Sequence, residues 1–466
     1  MIITRDLINK NIVYQDYKNQ VSVDYTYNDL DRLINAYKNL LISKSAKKGR
    51  SVVIGNQASM TQIAMVFACA ELGLNIIIVA TPFPPNKSAK DYVPGVINSK
   101  LRQMMPIDYF LVNDRNQTDK FQVFNDICRI TIVIEEENLD YTPNDTVWAD
   151  EDTVLIKCTS SGTTDTPKVI LHTHGFMSEL VLRNSTQFYG VMGMMNNLAH
   201  GSSPAVYFLP GLICKDVTKY INMPMGPTAQ YQLDKFAMFL KERNVNLDHL
   251  LVPYTILIDD LLIDSDCAIP SCVIHTLGMI RNQWVTAMKQ GRIKDIVSIF
   301  GTNETSGPFM LNKASDVDFT EDTYFVVDDF YKVELNSNNE LEVTMPIYNT
   351  VLKTNDRFLK RDNKFVHLGR SNLYRINDLE IDVGKYQLEI DKLMKAELVI
   401  DSKKDSIYLA VWENVVDKNI NYINDLMRKD SEGLHFISKH AMLNYSDYLN
   451  GVKVDKEMLR EFFRNQ

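Results

Sequence analysis

Ser51-Val-Val-Ile-Gly55, Ala58 to Leu72 and Leu74 to Val79 form a strand–helix–strand unit, and it constrains the chain more than any other feature. Met60, Ile63, Ala64, Phe67 and Ala70 fall at helical spacing, Gly73 suits the helix C-terminus, and the second strand is β-branched almost throughout. Two strands joined through a helix run parallel, and a parallel sheet needs cover on both faces. The rhythm continues: Tyr109 to Val112, Arg129 to Ile134, Val154 to Lys157, Ala205 to Leu209, His249 to Val252, Val273 to Leu277 and Ile296 to Phe300 all read as strands. Helical patterns such as Leu233 to Arg243 lie between several of them. The expected class is α/β, with mostly parallel sheets flanked by helices.

After about Asp329 the pattern becomes antiparallel. Tyr331-Lys-Val-Glu-Leu335 and Glu340-Leu-Glu-Val-Thr344 alternate around Asn336-Ser-Asn-Asn-Glu340, a hairpin signature. Toward the C-terminus short strands (Ala396 to Ile400, Ile407 to Trp412) mix with helices. The last helix, Lys456 to Arg464, places Met458, Leu459, Phe462 and Phe463 on one face. At 466 residues and 45% hydrophobic content, at least two domains are expected.

The formal net charge of -9 gives no footprint for nucleic acid or an anionic membrane. No run reaches the roughly 18 apolar residues that span a bilayer. The start, MIITRDLINKN, lacks the apolar stretch of a signal peptide. Cys69, Cys128, Cys158, Cys214, Cys267 and Cys272 contain no CxxC pair and read as reduced thiols. These features together predict a cytoplasmic protein.

The most informative stretch chemically is Thr159-Ser-Ser-Gly-Thr-Thr-Asp-Thr-Pro-Lys168, directly after a strand; eight of its ten residues are hydroxylated, Gly or Lys. It can offer backbone N–H groups, hydroxyl donors and one ammonium to a polyphosphate. A solvated Ser/Thr turn has the same composition, so both readings stand on this stretch alone. The GxxxxGK[ST] loop is absent.

Ser161-Gly-Thr-Thr-Asp-Thr-Pro-Lys168, followed by Val169-Ile-Leu-His-Thr-His174, resembles the phosphate loop of the adenylate-forming superfamily, with Asp165 and Val169 where glycines are usual. That superfamily holds acyl-CoA synthetases, peptide-synthetase adenylation domains and luciferases. Four further segments resemble its motifs in the same order: Phe300-Gly-Thr-Asn-Glu304, Thr354-Asn-Asp356-Arg357, His367-Leu-Gly-Arg370 and Asn450-Gly-Val-Lys453. Tyr25-Thr-Tyr-Asn-Asp-Leu30 is similar to another family segment near the start.

The resemblance implies a site. Ser161, Gly162, Thr163, Thr164 and Lys168 would hold the phosphates of ATP. Phe300, Gly301 and Thr302 would line the adenine, Asp356 would take the ribose hydroxyls, and Arg370 would contact ribose or phosphate. Glu304 would bind Mg²⁺, which suits a hard cation. Lys453, with Lys168, Thr163 and Thr164, would act in catalysis. Phe208, Gly278, Gly301 and Thr302 would line the pocket for a carboxylic acid, and the many apolar residues near them suggest a hydrophobic or aromatic one. Asn372 falls at the family's hinge. It would divide a large ATP- and acid-binding domain, 1–371, from a small, mobile α+β domain, 372–466.

The implied activity is ATP-dependent formation of an acyl-AMP with release of pyrophosphate, then acyl transfer to a thiol of CoA or a carrier protein. Asp378 stands where a glycine lines the family's pantetheine tunnel. An amide or ester ligase, and a catalytically silent AMP-binding relative, therefore stay open beside the thiol ligase.

Overall fold

The computed structural model describes the chain except for residues 19–20, 55–58, 79–103, 113–127, 160–168, 195–207, 223–245, 253–257, 260, 263–267, 278–279, 317–322, 327–329, 346–349, 371–372, 377–378, 395, 402–403, 405, 413–416, 431–435, 444–448, 451–452, 455 and 466. The expected helix from Leu233 to Arg243 lies outside the described residues.

Ser51–Ile54 is a strand buried along its whole length, and it pairs in parallel with both Asn75–Ile78 and Ile107–Val112. The helix between the first two, Met60–Glu71, starts at Ser59, whose side chain accepts from the Gln62 N–H. It ends as the sequence predicts. Gly73 takes a left-handed φ of 63°, Leu74 N–H donates to Cys69 O at 2.9 Å, and Gly73 N–H donates to Ala70 O at 3.0 Å. This pair of bonds satisfies the last helical carbonyls. The resulting six-stranded sheet runs Cys128–Val133, Ile107–Val112, Ser51–Ile54, Asn75–Ile78, Val154–Thr159, Val169–Thr173. It is parallel up to its edge strand Val169–Thr173, which turns back antiparallel on Val154–Thr159.

A second, thirteen-stranded sheet contains the rest of the large unit. Its parallel part passes from Val13–Lys18 through Val217–Asn222, Gly190–Met194, His249–Leu251 and Ile269–Thr276 to Ile293–Gly301. There it becomes antiparallel: Ile293–Gly301 pairs with Pro308–Lys313, and antiparallel pairing continues to the Lys332–Leu335 / Glu340–Met345 hairpin. The switch thus comes earlier than the expected position near Asp329. Its cause is the tight reversal at Gly301, where an added Cβ would lie 2.5 Å from Gly307 O. The expected strand from Ala205 to Leu209 is also corrected at its end. Leu209 opens the short helix Leu209–Ile213, where Pro210 occupies the first turn, the helical position that needs no N–H; residues 205–207 lie outside the described residues.

One apolar core packs the helices Tyr27–Ser43, Met60–Glu71 and His174–Ser185 between the two sheets. Tyr27–Ser43 explains the Tyr25-Thr-Tyr-Asn-Asp-Leu30 segment as a capping box: Asp29 accepts from Thr26 N–H at 2.7 Å while the Thr26 hydroxyl accepts from Asp29 N–H at 3.4 Å.

The C-terminal part has its own small sheet, Ala396–Asp401, Ser406–Val411 and Ile437–Met442. Leu398, Ile400, Ile407 and Leu409 face a core with the helices Val383–Leu393 and Asp417–Asp430. The opposite side packs Tyr408 against Phe463 of the helix Lys456–Asn465, with rings stacked at 4.8 Å. Leu459 and Phe463 are buried, on the face the sequence assigned. Asp401 accepts from Arg464 Nε at 2.6 Å and NH2 at 2.8 Å, fastening that helix to the sheet.

Five of the six cysteines are among the described residues, and all five are free thiols; Cys267 lies outside them. No helix among the described residues is long and apolar enough to cross a membrane.

Candidate functional site

Two strands that belong to different sheets end side by side. Val154–Thr159 leads into residues 160–168, and Ile293–Gly301 leads into Thr302-Asn-Glu-Thr-Ser306. Asn303 joins them. Its Nδ2 donates to Thr159 O at 2.9 Å, and its own carbonyl accepts from His172 Nε2 at 2.8 Å. His172 sits on Val169–Thr173, the strand that follows residues 160–168.

The 302–306 turn is held from within. Thr302 N–H donates to Thr305 Oγ1 at 3.1 Å, Thr305 N–H donates to Thr302 Oγ1 at 3.3 Å, and Ser306 N–H donates to Thr302 O at 3.1 Å. Tyr331 OH donates to Thr305 O at 2.9 Å from the antiparallel part. Glu304, half-buried, is carried on this turn. Burial, with the nearby Glu304 carboxylate adding to it, pushes the Cys158 thiol up to about 12. The acidic side chain therefore lies beside the strand that leads into residues 160–168. Among the described residues no group of three or more His, Cys, Asp or Glu could hold a metal. A single partly exposed carboxylate fits a magnesium ion shared with polyphosphate oxygens, not an all-protein metal cage.

Phe300 stands at the centre of an aromatic cluster, edge-on to Phe309 at 5.7 Å, Tyr324 at 5.6 Å, Phe358 at 5.3 Å and His367 at 5.7 Å. It remains half-buried. His367 Nε2 lies 4.0 Å from Asp356 Oδ1. Asp356 N–H donates to Thr354 Oγ1 at 3.2 Å, and the Thr354 hydroxyl donates to Leu341 O at 3.0 Å, which holds the Thr354-Asn-Asp356 segment. Asp356 is the cross-strand partner of Arg370, whose side chain lies outside the described residues. Segments far apart in sequence around Thr159, Phe300, Glu304 and Asp356 thus converge.

The remaining candidates divide. Phe208 is buried, edge-on to Tyr220 at 6.5 Å, within the main core. Lys453 forms a short antiparallel pair with Asn450; its side chain lies outside the described residues, as do Ser161, Gly162, Thr163, Thr164, Lys168, Gly278, Asn372 and Asp378. His172 and His367 both fall inside the motif segments of the sequence, where no role attaches to either. His172 carried one usable signal, a polar ring in an otherwise β-branched and aliphatic strand.

Burial pushes the His172 imidazole down to about 4 despite its bond to Asn303, so the ring is neutral. Nε2 carries its proton, because a carbonyl can only accept.

Solved structures across the whole chain show the same fold. The McyG A-PCP complexed with phenylalanyl-adenylate has a TM-score of 0.75 at 14% identity, covering 100% of this chain and 96% of that one. A variant of E. coli MenE with bound OSB-AMS has a TM-score of 0.73 at 13% identity, covering 100% of both chains. The O-succinylbenzoate Coenzyme A synthetase (MenE) from Bacillus subtilis, in complex with ATP and magnesium ion, has a TM-score of 0.69 at 14% identity, covering 96% of each chain. No curated protein matches the chain in sequence. Residues 9–214 match the model of the AMP-binding enzyme family.

Proposed function

We propose that this protein is an ATP-dependent acid ligase that joins a carboxylic acid to AMP, releases pyrophosphate, and passes the acyl group to a thiol of CoA or a carrier protein. The convergence of Thr159, Asn303, Glu304, Phe300 and Asp356 at neighbouring strand ends is the observation that carries this reading. In chain order, Thr159, Phe300, Glu304 and Asp356 fall in or beside segments that resemble the phosphate, adenine, metal and ribose motifs of the adenylate-forming superfamily.

In this reading the acid carboxylate attacks the α-phosphorus of ATP and pyrophosphate leaves. Ser161, Gly162, Thr163, Thr164 and Lys168 hold the leaving phosphates with N–H, hydroxyl and ammonium donors. Phe300 offers its exposed side to adenine, and Asp356 accepts from the two ribose hydroxyls, which a carboxylate can do with separate oxygens. Arg370 contacts ribose or phosphate. Glu304 holds Mg²⁺, whose contribution when bound is to neutralise phosphate charge. Lys453 offsets the negative charge that develops as the carboxylate meets phosphorus. The work is positioning and electrostatics rather than covalent catalysis. Phe208, Gly278, Gly301 and Thr302 shape the acid pocket. Residues 372–466 form a second domain that turns about Asn372 between the two half-reactions, in the cytoplasm.

The solved structures named above include an A-PCP and a Coenzyme A synthetase, which supports a thiol acceptor. Asp378 favours the second reading, transfer to an amine or alcohol, because it places a carboxylate where the family's tunnel has glycine. The test is to incubate the full chain with MgATP and a panel of carboxylic acids. Acyl-AMP is identified by mass, and CoA, a pantetheinylated carrier and amines are then supplied in turn. Acyl-AMP followed by a thioester supports the proposal; an amide or ester selects the second reading. Bound nucleotide with no acyl-AMP from any acid refutes both.

A further inference from the structure

The chain leaves the large unit after Arg370 and comes back to it at Asp382. The strand Lys364–Arg370 belongs to the thirteen-stranded sheet, and its Phe365 lies in the main core. The hairpin Leu373–Ile376 / Leu379–Asp382 follows. The helix Val383–Leu393 then joins the small core through Val383, Tyr386 and Ile390. A backbone approach and an ion pair bring this helix onto the strand the chain left. Phe358 lies opposite His367 but Asp356 opposite Arg370, so Lys364–Arg370 carries one extra residue there, a β-bulge. Gly369 in that bulge has a φ of 87°, and a Cβ on it would lie 2.6 Å from Gly384 O. The ion pair joins Arg357 NH2 to Asp382 Oδ2, with the side chains 29% and 15% exposed. Asp382 stands just before the helix, where a carboxylate ordinarily accepts from the first helical N–H groups, yet it makes no such bond. Arg357 Nε and Asp382 Oδ1 are buried without a hydrogen-bond partner among the described residues, so each charge has the other as its partner. A carboxylate that gives up its own helix for a guanidinium of another unit serves the contact between the units.

We propose that Arg357 and Asp382 are positioning residues that form a latch between the large unit and residues 383–466, and that opening it lets the second unit turn. The inference rests on the acid-ligase reading above, which needs those residues to take two orientations. Arg357 follows Asp356, the ribose partner in that reading, so the latch is anchored beside the nucleotide without either residue having to touch it. Closing seats Gly384 against the Gly369 bulge. Opening breaks one ion pair and leaves both cores intact, since Val383–Leu393 keeps its packing with Leu398, Ile400 and Leu409. Two glycines have no side chains to bury where they meet, so the ion pair is the part of the contact that a substitution can release.

The test is hydrogen–deuterium exchange of the full chain without nucleotide, read on the peptides that contain Gly369 and Gly384. It compares the parent, Arg357→Gln, Asp382→Asn and the double variant. Asn suits a helix start as Asp does, so Asp382→Asn removes the charge and spares the helix. Each single variant should speed local exchange about five- to thirtyfold, the change in an opening equilibrium that loss of a partly buried charged bond gives. The double variant should exchange no faster than the faster single one, since each removes the same pair. The strands Ser51–Ile54 and Ala396–Asp401, one in each unit, should keep the parent rate. Unchanged exchange at Gly369 and Gly384 overturns the inference, and so do additive effects in the double variant. Faster exchange in Ala396–Asp401 also overturns it, because that marks loss of the small fold rather than release of a latch. Should Arg357→Gln fail to fold, Asp382→Asn carries the comparison by itself. A latch that opens as expected in a chain that forms no acyl-AMP in the assay above refutes the acid-ligase reading, and the turn it serves falls with it.

Discussion

Replacing Glu71 by Gln should destabilise the large unit far more than an ordinary substitution. The Glu71 side chain is 2% exposed and accepts from Lys38 Nζ at 2.6 Å, with Lys38 itself 0% exposed. The same carboxylate accepts from Arg5 N at 2.9 Å, Nε at 2.9 Å and NH2 at 2.7 Å. Burial alone would raise the Glu71 carboxyl; the bonds from Arg5 and Lys38 outweigh it and hold the group below the usual carboxylate range. Gln keeps the shape and removes the charge. Two buried cations then face a neutral amide whose NH2 is itself a donor. Breaking a buried ion pair from one side costs about 3–5 kcal/mol. At about 2–4 °C per kcal/mol, a loss of about 4 kcal/mol lowers the melting temperature by roughly 8–16 °C. Lys38→Met should cost less than about half as much, since Glu71 keeps its bidentate Arg5 partner. Urea unfolding followed by far-UV circular dichroism measures both. A Glu71→Gln midpoint within about 1 kcal/mol of the parent, or a larger loss for Lys38→Met, refutes the reasoning.

Gly73→Ala should cost about 1–2 kcal/mol, read in the same titration, because φ is 63° and the new Cβ would sit 3.1 Å from Lys48 Cγ. Gly301→Ala should weaken AMP binding, measured calorimetrically, because its Cβ would meet Gly307 O at 2.5 Å and displace the turn beside Phe300. Stability should also fall in mild acid. Burial pushes His249 down to about 4 and His275 down to about 3, and their rings face each other at 3.0 Å, Nδ1 to Nε2. Folded values below the unfolded value of about 6.5 mean the unfolded chain binds more protons between these limits. The stabilisation is complete above about pH 6.5 and is lost as pH falls toward 4, and His249→Phe should flatten the slope of urea midpoint against pH.

What the sequence displayed was mostly local. The strand–helix–strand unit, the Gly73 terminus and the apolar face of Leu459 and Phe463 depend on residues within a few turns of each other, and periodicity shows them directly. The onset of the antiparallel part is not visible in the sequence, because Pro308–Lys313 carries no hairpin punctuation of the Asn336-Ser-Asn-Asn kind; the reversal depends on Gly301 meeting Gly307. The long-range polar contacts gave no sign at all. Arg5, Lys38 and Glu71 come from three separate elements, and His172 and Asn303 meet across two sheets. The segments around Phe300, Glu304 and Asp356 stand out in the sequence because their residue types and order resemble those of a known family. The ring of neighbours around Phe300 was not, since Phe309, Tyr324, Phe358 and His367 reach it from different strands.

Acid-dependent exchange of labelled pyrophosphate into ATP, with Mg²⁺ present, tests the central claim most directly. It reports the first half-reaction whatever the acceptor. The account predicts exchange that requires one class of carboxylic acid, is abolished in Lys453→Ala and Asp356→Ala, and leaves ATP binding by Lys453→Ala largely intact. Exchange at the parent rate in Lys453→Ala, or ATP binding without exchange from any carboxylic acid, would contradict it.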